Sequence, residues 1–580
     1  MKKLKYILIS SLILAASSSC QMLEPMNENV LGEDYVASDA ESVEGLLLNA
    51  YSVLVSHNGW GGATTDPYSS VATDDAVINQ SANSFLRMAT GELTSQYNPY
   101  GTYRWNANYE SIFYVNKFLS MVDDAAWNSN EALSELYCRR LKGEALALRA
   151  LHHFKLMEAF AGVGSNSELL GVQYYDEFID PDGDFSSPRL SFEDMADAIM
   201  ADFEEAFELL PTIYSDDAAD IPEKDSGYDT NTYLVANSTV YDQRMCGRIV
   251  RALQARFKLF IASEAYLNSS AEYENAAAYA AGVLESCDYT LAADGIEFYD
   301  SDGDLSNPEV LWSVSRSLSS TAEGHNFPPS LNGTGYINPT HNFVSAFPMA
   351  DGYPIDKSPY YDAQNPFANR DPRLAKFVLY DGATYGGVTI NTNYDSATND
   401  ALNLVSGQST RTGYYLKKML RPDVIIPVSG TVTTQYHYYA LVRYTEMFLI
   451  LAEAQNEIGG PDYKVDGSQM SAREIIRAIR ARALGISSDL YLDSISSQED
   501  MRDMIRNERR LELSFEGFRF WDLRRWAADL DETATGYYNS GSGYQEFDVE
   551  KRVLTGEKYK YMPLPYTEVR KYGLIQNYGW

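Results

Sequence analysis

The feature that most constrains the fold is a set of long helical segments with apolar residues on more than one face. Two apolar stripes run along residues 141–162: one holds Leu141, Ala145, Leu148, His152 and Leu156, and the other holds Ala147, Leu151 and Phe154. A helix with two such stripes has to pack on both sides. Segments 247–267, 442–461 and 472–484 show the same pattern. Together they predict a mostly α fold in which tetratricopeptide-like helix pairs form a scaffold.

The arginine-rich stretch 501–526 raises the question of a nucleic-acid surface. It interleaves seven arginines with Phe and Trp rings, but five acids lie among them: Asp503, Glu508, Glu512, Glu516 and Asp522. The whole chain has 46 Lys and Arg against 81 Asp and Glu, a net charge of −35, so a phosphate backbone would be repelled. The sequence therefore predicts no nucleic-acid partner.

The same stretch is better interpreted as internal scaffold. A helix over residues 501–515 would place Glu508 in its apolar stripe. A carboxylate in that position needs a cationic, hydrogen-bonded partner, which the neighbouring arginines are expected to supply. Gly517 is predicted to end this helix, and residues 518–526 are predicted to form a second, short one.

The composition changes to Gly, Pro, Asn, Asp, Ser and Tyr between residues 285 and 435. Long ordered loops that a scaffold holds in place are where binding residues concentrate. We therefore predict an N-terminal helical lobe over residues 46–284 and a loop-rich, irregular ligand-binding insertion over residues 285–435. A C-terminal helical lobe over residues 436–580 is expected to pack on the N-terminal one.

The first residues predict export and lipid anchoring. Residues 1–19 contain three lysines, an apolar run and then small residues, which is the pattern of a signal peptide too short to span a bilayer. Cys20 follows directly and resembles a lipobox cysteine, which is diacylated, although Ser17 stands where many lipoboxes have Leu. Residues 20–45 would then form a lipid-anchored linker. The alternative is ordinary cleavage beside an incidental cysteine.

Two acidic turns share the pattern D-x-D-G-D, which offers oxygen ligands of the kind that Ca²⁺ binds. The candidate ligands are Asp180, Asp182 and Asp184 in the first turn and Asp300, Asp302 and Asp304 in the second. Neither turn has the EF-hand order, so solvated acidic turns are the preferred interpretation and no cofactor is expected. The three cysteines after Cys20 are scattered without a CxxC pattern and predict neither a disulfide framework nor a zinc site.

Two aromatic loops are the candidate ligand-binding surface. Sugar recognition needs flat rings for the C–H faces of the sugar and polar groups at the ring edge, and the chain has 44 Tyr against 23 Phe. The candidate glycan-binding residues are Tyr97, Tyr100, Tyr103 and Trp105 in the first loop, Tyr336, Asn338 and His341 in the second, and Trp60 and Asp74 outside them. For each ring the alternative is burial beneath its loop, and Trp105 has the further alternative of bracing the following helix.

The sequence carries no motif that indicates an enzyme. It lacks G-x-S-x-G, H-E-x-x-H and a glycine loop for phosphate, although its many acids leave a glycosidase-like carboxylate pair open. His152 and His153 are adjacent on one predicted helix and so point in different directions, which argues against a shared ligand role. We predict a binding protein. A structural or adhesion lipoprotein is an alternative from another class, and it would not need the aromatic loops.

Six segments, in order along the chain, resemble the SusD-like (SusD/RagB) family of surface nutrient-binding lipoproteins. They are "YESIFYVNKFL" (109–119), "GEALALRALHHFKLMEAFAG" (143–162), "RYTEMFLILAEAQNEIG" (443–459), "IRARALGI" (479–486), "IRNERRLELSFEGFRFWDLRRW" (505–526) and "YMPLPYTEVRKYGLIQNYGW" (561–580). The chain departs from the family pattern at residues 159–172, where a short Gly-Asp-x-Pro turn is common.

The resemblance implies a helical tetratricopeptide-like fold, an irregular ligand-binding subdomain and no catalytic activity. It also implies a location: surface-exposed and lipid-anchored on the outer membrane of a Gram-negative, glycan-degrading bacterium. There the protein would bind an oligosaccharide or polysaccharide and deliver it, as a lid, to a TonB-dependent, SusC-like barrel transporter. Some family members carry peptides, so a peptide ligand is an alternative.

Overall fold

Helices dominate the chain, as the two-faced segments predict. The computed structural model describes residues 37–57, 66–293, 307–394 and 396–580. Its helices are α1 (Ala40–His57), α2 (Ser84–Arg87), α3 (Pro99–Leu119), α4 (Glu131–Phe160), α5 (Phe192–Leu209), α6 (Thr230–Ala236), α7 (Gly247–Ala262), α8 (Ser270–Glu285), α9 (Thr321–Asn326), α10 (His341–Ala346), α11 (Pro372–Phe377), α12 (Tyr444–Gly459), α13 (Ala472–Leu484), α14 (Leu490–Ser494), α15 (Gln498–Glu512), α16 (Arg519–Arg525) and α17 (Tyr566–Tyr572).

Local capping sets the ends of the predicted helices. Helix α13 coincides with the predicted segment 472–484 because Ser471 and Glu474 form a capping box at its start. Gly485, with a φ of 69°, ends it in the left-handed conformation. The other three segments are found in α4, α7 and α12. Helices α7 and α12 lie within the predicted segments, whereas α4 begins at Glu131, before the predicted stretch 141–162.

Helices that follow one another pack in pairs. Helix α3 packs on α4, α4 on α5, and α7 on α8. Helix α8 also packs on α12, which in turn contacts α13 and α15, so helices on either side of the insertion lie against each other. Four buried alanines allow α8 to approach its neighbours closely: Ala276, Ala277, Ala280 and Ala281. Buried residues from all three predicted regions join one hydrophobic core.

Short antiparallel ribbons connect the helical parts. The strands are β1 (Ala76–Ile78), β2 (Gly162–Val163), β3 (Leu169–Leu170), β4 (Val310–Ser319), β5 (Ile337–Pro339), β6 (Val378–Leu379), β7 (Thr384–Tyr385), β8 (Val388–Thr389), β9 (Tyr415–Leu416), β10 (Gln435–Arg443), β11 (Ala534–Asn539) and β12 (Tyr544–Glu550). They pair as β1–β5, β2–β3, β4–β10, β6–β9, β7–β8 and β11–β12. The β11–β12 hairpin lies in the region that the sequence predicted as helical.

Glu508 is an internal structural residue, as its place in the apolar stripe predicts. Its side chain is 0% exposed, and its two oxygens accept hydrogen bonds of 2.9 Å from Arg373 and Arg480. The expectation that neighbouring arginines supply the partner is wrong, because Arg373 lies in the first turn of α11 and Arg480 lies in α13. Helix α15 ends at Glu512, which is also buried. Burial alone would raise the pKa of the Glu512 carboxyl, but the stronger effect of Arg482 and Arg373 lowers it to about 2. Buried arginines thus tie three helices together.

Candidate functional site

The two predicted aromatic loops both lie against residues 66–80. Strands β1 and β5 pair with Ile78 opposite Ile337, and the Asn79 N–H donates to the Tyr336 carbonyl over 3.1 Å. The first loop reaches the same segment through Asp66, which accepts a 2.8 Å hydrogen bond from the Tyr100 hydroxyl. The chain therefore brings the two loops to one region, but most of their side chains are used inside the fold.

Tyr100 is part of the core. Its side chain is 0% exposed, and its ring packs against Phe85 and Phe520 with centroids 4.6 and 6.0 Å apart. Asn98 caps α3 and Pro99 is its first residue, so Tyr100 lies in the first turn of a helix and not on a loop. A buried ring offers no face to a sugar, and the predicted glycan contact at Tyr100 is wrong.

Asn338 and Asp74 are also structural. Asn338 is 0% exposed; its amide accepts from the Arg411 N–H over 3.0 Å and donates to the Gly335 carbonyl over 3.0 Å. The buried carboxylate of Asp74 accepts two hydrogen bonds from Arg519, of 2.9 and 2.7 Å. Burial alone would raise the pKa of Asp74, but Arg510 and Arg519 hold it well below the usual range. Because both side chains are buried and satisfied, the predicted ligand roles are wrong.

Trp105 braces the fold and also lines a cavity. The indole is buried and packs edge-on against Tyr109 and Phe160, with ring centroids 4.8 and 5.1 Å apart. The cavity beside it has a volume of about 240 Å³, and Phe113 and Tyr572 are among its other aromatic walls. The bracing alternative for Trp105 is therefore observed, and its exposed edge is small.

Tyr97, Tyr103 and Tyr336 keep part of their rings at the surface. All three are half-buried, and the Arg87 guanidinium lies over the Tyr97 ring, 4.5 Å from its centroid. Tyr336 stacks on His325 with a centroid distance of 4.7 Å and an angle of 13°. Each of the Tyr97 and Tyr336 rings thus has one face covered by a cationic or imidazole group.

His341 opens a continuous row of rings that the sequence did not predict. It stacks on Tyr537 at 4.1 Å and 5°, and Tyr537 stacks on Tyr544 at 5.3 Å and 14°. Tyr544 meets Phe367 edge-on at 5.5 Å, and Phe367 stacks on Tyr380 at 4.2 Å. We call these five residues the aromatic platform. All five are half-buried, so their rings are held in place and still reach the surface.

Three parts of the chain build the aromatic platform. His341 begins α10, Phe367 and Tyr380 flank α11, and Tyr537 and Tyr544 belong to the β11–β12 hairpin. Adjacent residues of a strand point to opposite faces, and the diagonal pair Tyr537 and Tyr544 therefore shares one face of the hairpin. The platform is a surface made by the insertion and the hairpin together.

Polar groups at the platform edge suit a ligand with hydroxyl groups. The Tyr544 hydroxyl donates to the Asp381 carboxylate over 3.4 Å, and burial raises the pKa of Asp381. His341 Nδ1 lies 3.0 Å from the Tyr414 hydroxyl. Burial and nearby Arg370 lower the pKa of His341 to about 4 against the opposing effect of Glu546, so the imidazole is neutral at pH 7. The platform combines a row of mutually stacked rings with hydrogen-bonding groups at the ring edges.

Local sequence contained one usable signal for this site. The segment "GYYNSGSGYQEF" (536–547) places aromatic, alternating runs on both sides of a Gly-rich turn, which is typical of a hairpin. No local signal points to Phe367 or Tyr380. Phe367 joins the platform through its contact with Tyr544, more than 160 residues away, and Tyr380 joins it through Phe367.

The predicted calcium turn does not gather its acids into a site. Asp180, Asp182 and Asp184 are exposed, and the Asp180 and Asp184 carboxylates accept local hydrogen bonds from the N–H groups of Asp182 and Ser186. Within the described ranges, no group of three or more His, Cys, Asp or Glu side chains could hold a metal ion. The other predicted residues lie outside those ranges: Cys20, Trp60, Asp300, Asp302 and Asp304.

Two family models match most of this sequence. One, described as "SusD family", matches residues 308–580, and the other, described as "Starch-binding associating with outer membrane", matches residues 26–230. A curated SusD-like protein of Formosa agariphila is 24% identical over 554 residues, which cover 90% of this chain and 92% of that protein.

Solved structures share the same fold. A SusD-like carbohydrate-binding protein of Bacteroides fragilis superimposes with a TM-score of 0.71 at 20% identity, over 92% of this chain and 98% of its own. A laminarin-binding SusD-like protein superimposes with a TM-score of 0.61, also at 20% identity, over 94% of this chain and 100% of its own. Among the residues that the structure describes, no helix is both long and apolar enough to cross a membrane.

Proposed function

Because this chain belongs to the SusD-like family, we propose that it is a glycan-binding lipoprotein of the outer-membrane surface. It binds an oligosaccharide or polysaccharide outside the cell and delivers it to a TonB-dependent, SusC-like transporter, over which it acts as a lid. The family models and the SusD-like neighbours, two of which are named for carbohydrate or laminarin binding, support this proposal.

The aromatic platform is the structural observation that best supports a glycan ligand. Five half-buried rings form a row in which each ring contacts the next, so little side-chain entropy is lost when a sugar stacks on them. Tyrosine and histidine edges can satisfy sugar hydroxyls, while ring surface not covered by a neighbouring ring can pack against C–H groups. A binding role without catalysis fits this neutral, prearranged surface.

Affinity electrophoresis of the protein without residues 1–19 and with Cys20 replaced by Ser tests the ligand class. The gels would contain a panel of neutral and acidic polysaccharides, and we expect one or more to retard the protein. The Tyr537→Ala/Tyr544→Ala double variant should lose retardation because it removes the centre of the platform.

A matched control is Tyr360→Ala. Tyr360 is 65% exposed and makes no ring contact with the described residues, so its loss should leave retardation unchanged. Uniform migration of the wild-type protein through every polysaccharide would contradict glycan binding and favour a peptide ligand or an adhesion role. If the double variant were still retarded as the wild type is, the platform would not be the binding site, but glycan binding itself would stand.

Cys20 is the proposed site of lipid attachment. Cys20→Ala should release the mature protein from the membrane, because one or more acyl chains on this residue would supply the anchor. Metabolic labelling with a fatty acid would show label on the wild type and none on the variant. Label on Cys20→Ala at the wild-type level would contradict the assignment.

A further inference from the structure

A second cavity differs in charge from the rest of this acidic protein. It has a volume of about 420 Å³, and its walls include Lys376, Lys417 and Lys418 but no Asp or Glu. The chain as a whole carries 81 acids against 46 Lys and Arg. A cavity that gathers three lysines without an acid in its walls is therefore an exception to the composition.

Two of the three lysines have no acidic partner within the described residues. Lys417 Nζ donates to the Ala375 carbonyl over 2.6 Å and lies 5.2 Å from the Tyr385 ring centroid. Burial and the nearby Lys376 both lower the pKa of Lys417, and no carboxylate offsets them. Lys376 is exposed at the cavity wall and forms no salt bridge in the described part of the chain.

The third lysine, Lys418, makes its hydrogen bonds within the protein. Lys418 Nζ donates to the Glu512 and Ser514 carbonyls over 2.8 and 2.9 Å and to the Glu516 carboxylate over 2.8 Å. It therefore forms a structural wall. Lys376 and Lys417 are therefore the ammonium groups of this cavity that remain available to an anionic ligand.

The cavity is connected to the aromatic platform through one ribbon. Strands β6 and β9 pair with Leu379 opposite Tyr415, and Tyr380 of the platform follows β6 directly. At the other end of the ribbon, the Lys417 N–H donates to the Phe377 carbonyl over 2.9 Å. Phe377 and Tyr380 are three positions apart, with the two residues of β6 between them, which corresponds to about 10 Å along the backbone. A polymer that stacks on the platform is thus within a short reach of the cavity.

We infer that this cavity binds an anionic substituent of the glycan, a carboxylate or a sulfate ester, through Lys376 and Lys417. The inference rests on the proposed function, because it names the class of glycan. A negatively charged polymer approaching a protein of net charge −35 is repelled unless cations are gathered locally. Ammonium groups without a carboxylate partner provide that local attraction and can donate charge-assisted hydrogen bonds.

The test uses isothermal titration calorimetry with three oligosaccharide probes: an oligogalacturonate, a sulfated galactan oligomer and a neutral laminarin oligomer. We expect at least one anionic probe to bind the wild type, and the probe that binds identifies carboxylate or sulfate. Lys376→Gln and Lys417→Gln should each weaken that binding about tenfold, the scale of one lost hydrogen bond to a charged group. Higher salt should weaken wild-type binding and have less effect on the variants.

Two further variants separate local charge from net charge. Lys551→Gln makes the same charge change at an exposed lysine outside the cavity and should leave the affinity unchanged. Thr384→Glu adds a carboxylate to the cavity wall without removing a lysine and should also weaken anionic binding. Melting curves would establish that each variant is folded.

The outcomes distinguish this inference from the proposed function. The cavity assignment is overturned if no anionic probe binds the wild type. It is also overturned if the cavity variants bind the anionic probe as tightly as the wild type does. Laminarin binding in that case would leave the proposed glycan function standing. If neither anionic nor neutral saccharides bind, both proposals fail.

Discussion

At the scale of single residues, Glu508 is a fully buried acid that two arginines from other helices share. Glu508→Ala removes the carboxylate that accepts from both Arg373 and Arg480 in a fully buried site. We expect a loss of about 3–5 kcal/mol in the free energy of unfolding, the usual cost of breaking a buried ion pair. Chemical denaturation would measure it.

The control for that substitution is Asp503→Ala in the same helix. Asp503 is exposed, so its loss should change the free energy of unfolding by at most about 0.5 kcal/mol. Equal stabilities of Glu508→Ala and the wild type would contradict the structural role. A ligand-binding defect with normal stability would move Glu508 into the functional site.

His341 predicts a pH dependence of stability. Its folded pKa of about 4 lies below the value of about 6.5 expected in the unfolded chain, so between these values the unfolded state binds the proton more readily. The stability that neutral His341 contributes is complete above about pH 6.5, declines as the pH falls from 6.5 to 4, and is lost below the folded pKa of about 4. His341→Phe keeps a ring beside Tyr537 but cannot titrate.

The free energies of unfolding of the wild type and of His341→Phe would therefore be compared at pH 7 and pH 4.5. We expect the variant to lose less stability than the wild type on acidification. The contribution of the carboxylates to the pH dependence is common to both proteins, so it cancels in the difference between them. The same acid-induced loss in both would show that His341 is not buried as a neutral group.

At the scale of elements, Gly413 allows the β11–β12 hairpin to approach the chain beside β9 closely. Gly413 has a φ of 89°, and a Cβ at this position would lie 2.1 Å from the Tyr537 carbonyl oxygen. Gly413→Ala should therefore push the hairpin away from β9 and break the 2.8 Å hydrogen bond from the Tyr537 N–H to Thr412. We expect faster chymotryptic cleavage in residues 534–550 and loss of glycan retardation.

Gly430→Ala is the control for the backbone strain itself. Gly430 also has a positive φ, of 111°, but a Cβ there would meet nothing within 4 Å. It should keep wild-type cleavage and binding. Equal behaviour of the two variants would mean that contact with Gly413 does not hold the hairpin in place.

Elements were predictable where their signals are local. Helix α13 follows from its capping box and from Gly485. The predicted break at Gly517 comes too late, because α15 already ends at Glu512 with Leu513 as its C-cap. Tyr100 was misplaced although Asn98 and Pro99 mark a helix start, because the Asn-Pro pair was interpreted as a loop turn. The aromatic platform was not predictable from spacing, since its rings come from three distant segments that only the folded chain brings together.

At the scale of the whole molecule, the last residues of the sequence bind the early helices. Asn577 is buried; its amide donates to the Phe160 and Met562 carbonyls over 2.9 and 2.8 Å and accepts from Arg189 over 3.0 Å. Asn577→Ala should cost about 1–3 kcal/mol, because buried polar groups lose their partners. Calorimetry would record a lower melting temperature.

Tyr578→Ala provides the comparison for this position. Tyr578 is 64% exposed, and its main-chain N–H bond to Val163 survives the substitution. We expect a melting temperature close to that of the wild type. If Asn577→Ala also melted as the wild type does, the last residues would not contribute to the stability of the early helices.

The hydrogen bond between Asn577 and Phe160 joins residues that are 417 positions apart, so it cannot form until the end of this stretch has been synthesised. Synthesis produces α4 long before it produces residue 577. During that interval the Phe160 carbonyl and the Arg189 guanidinium, which bond to each other over 3.1 Å, lack Asn577 as a further partner. Contacts of such long sequence separation form late, after the loop between them has closed. Until residue 577 has been synthesised, the region around Phe160 therefore lacks this closing contact.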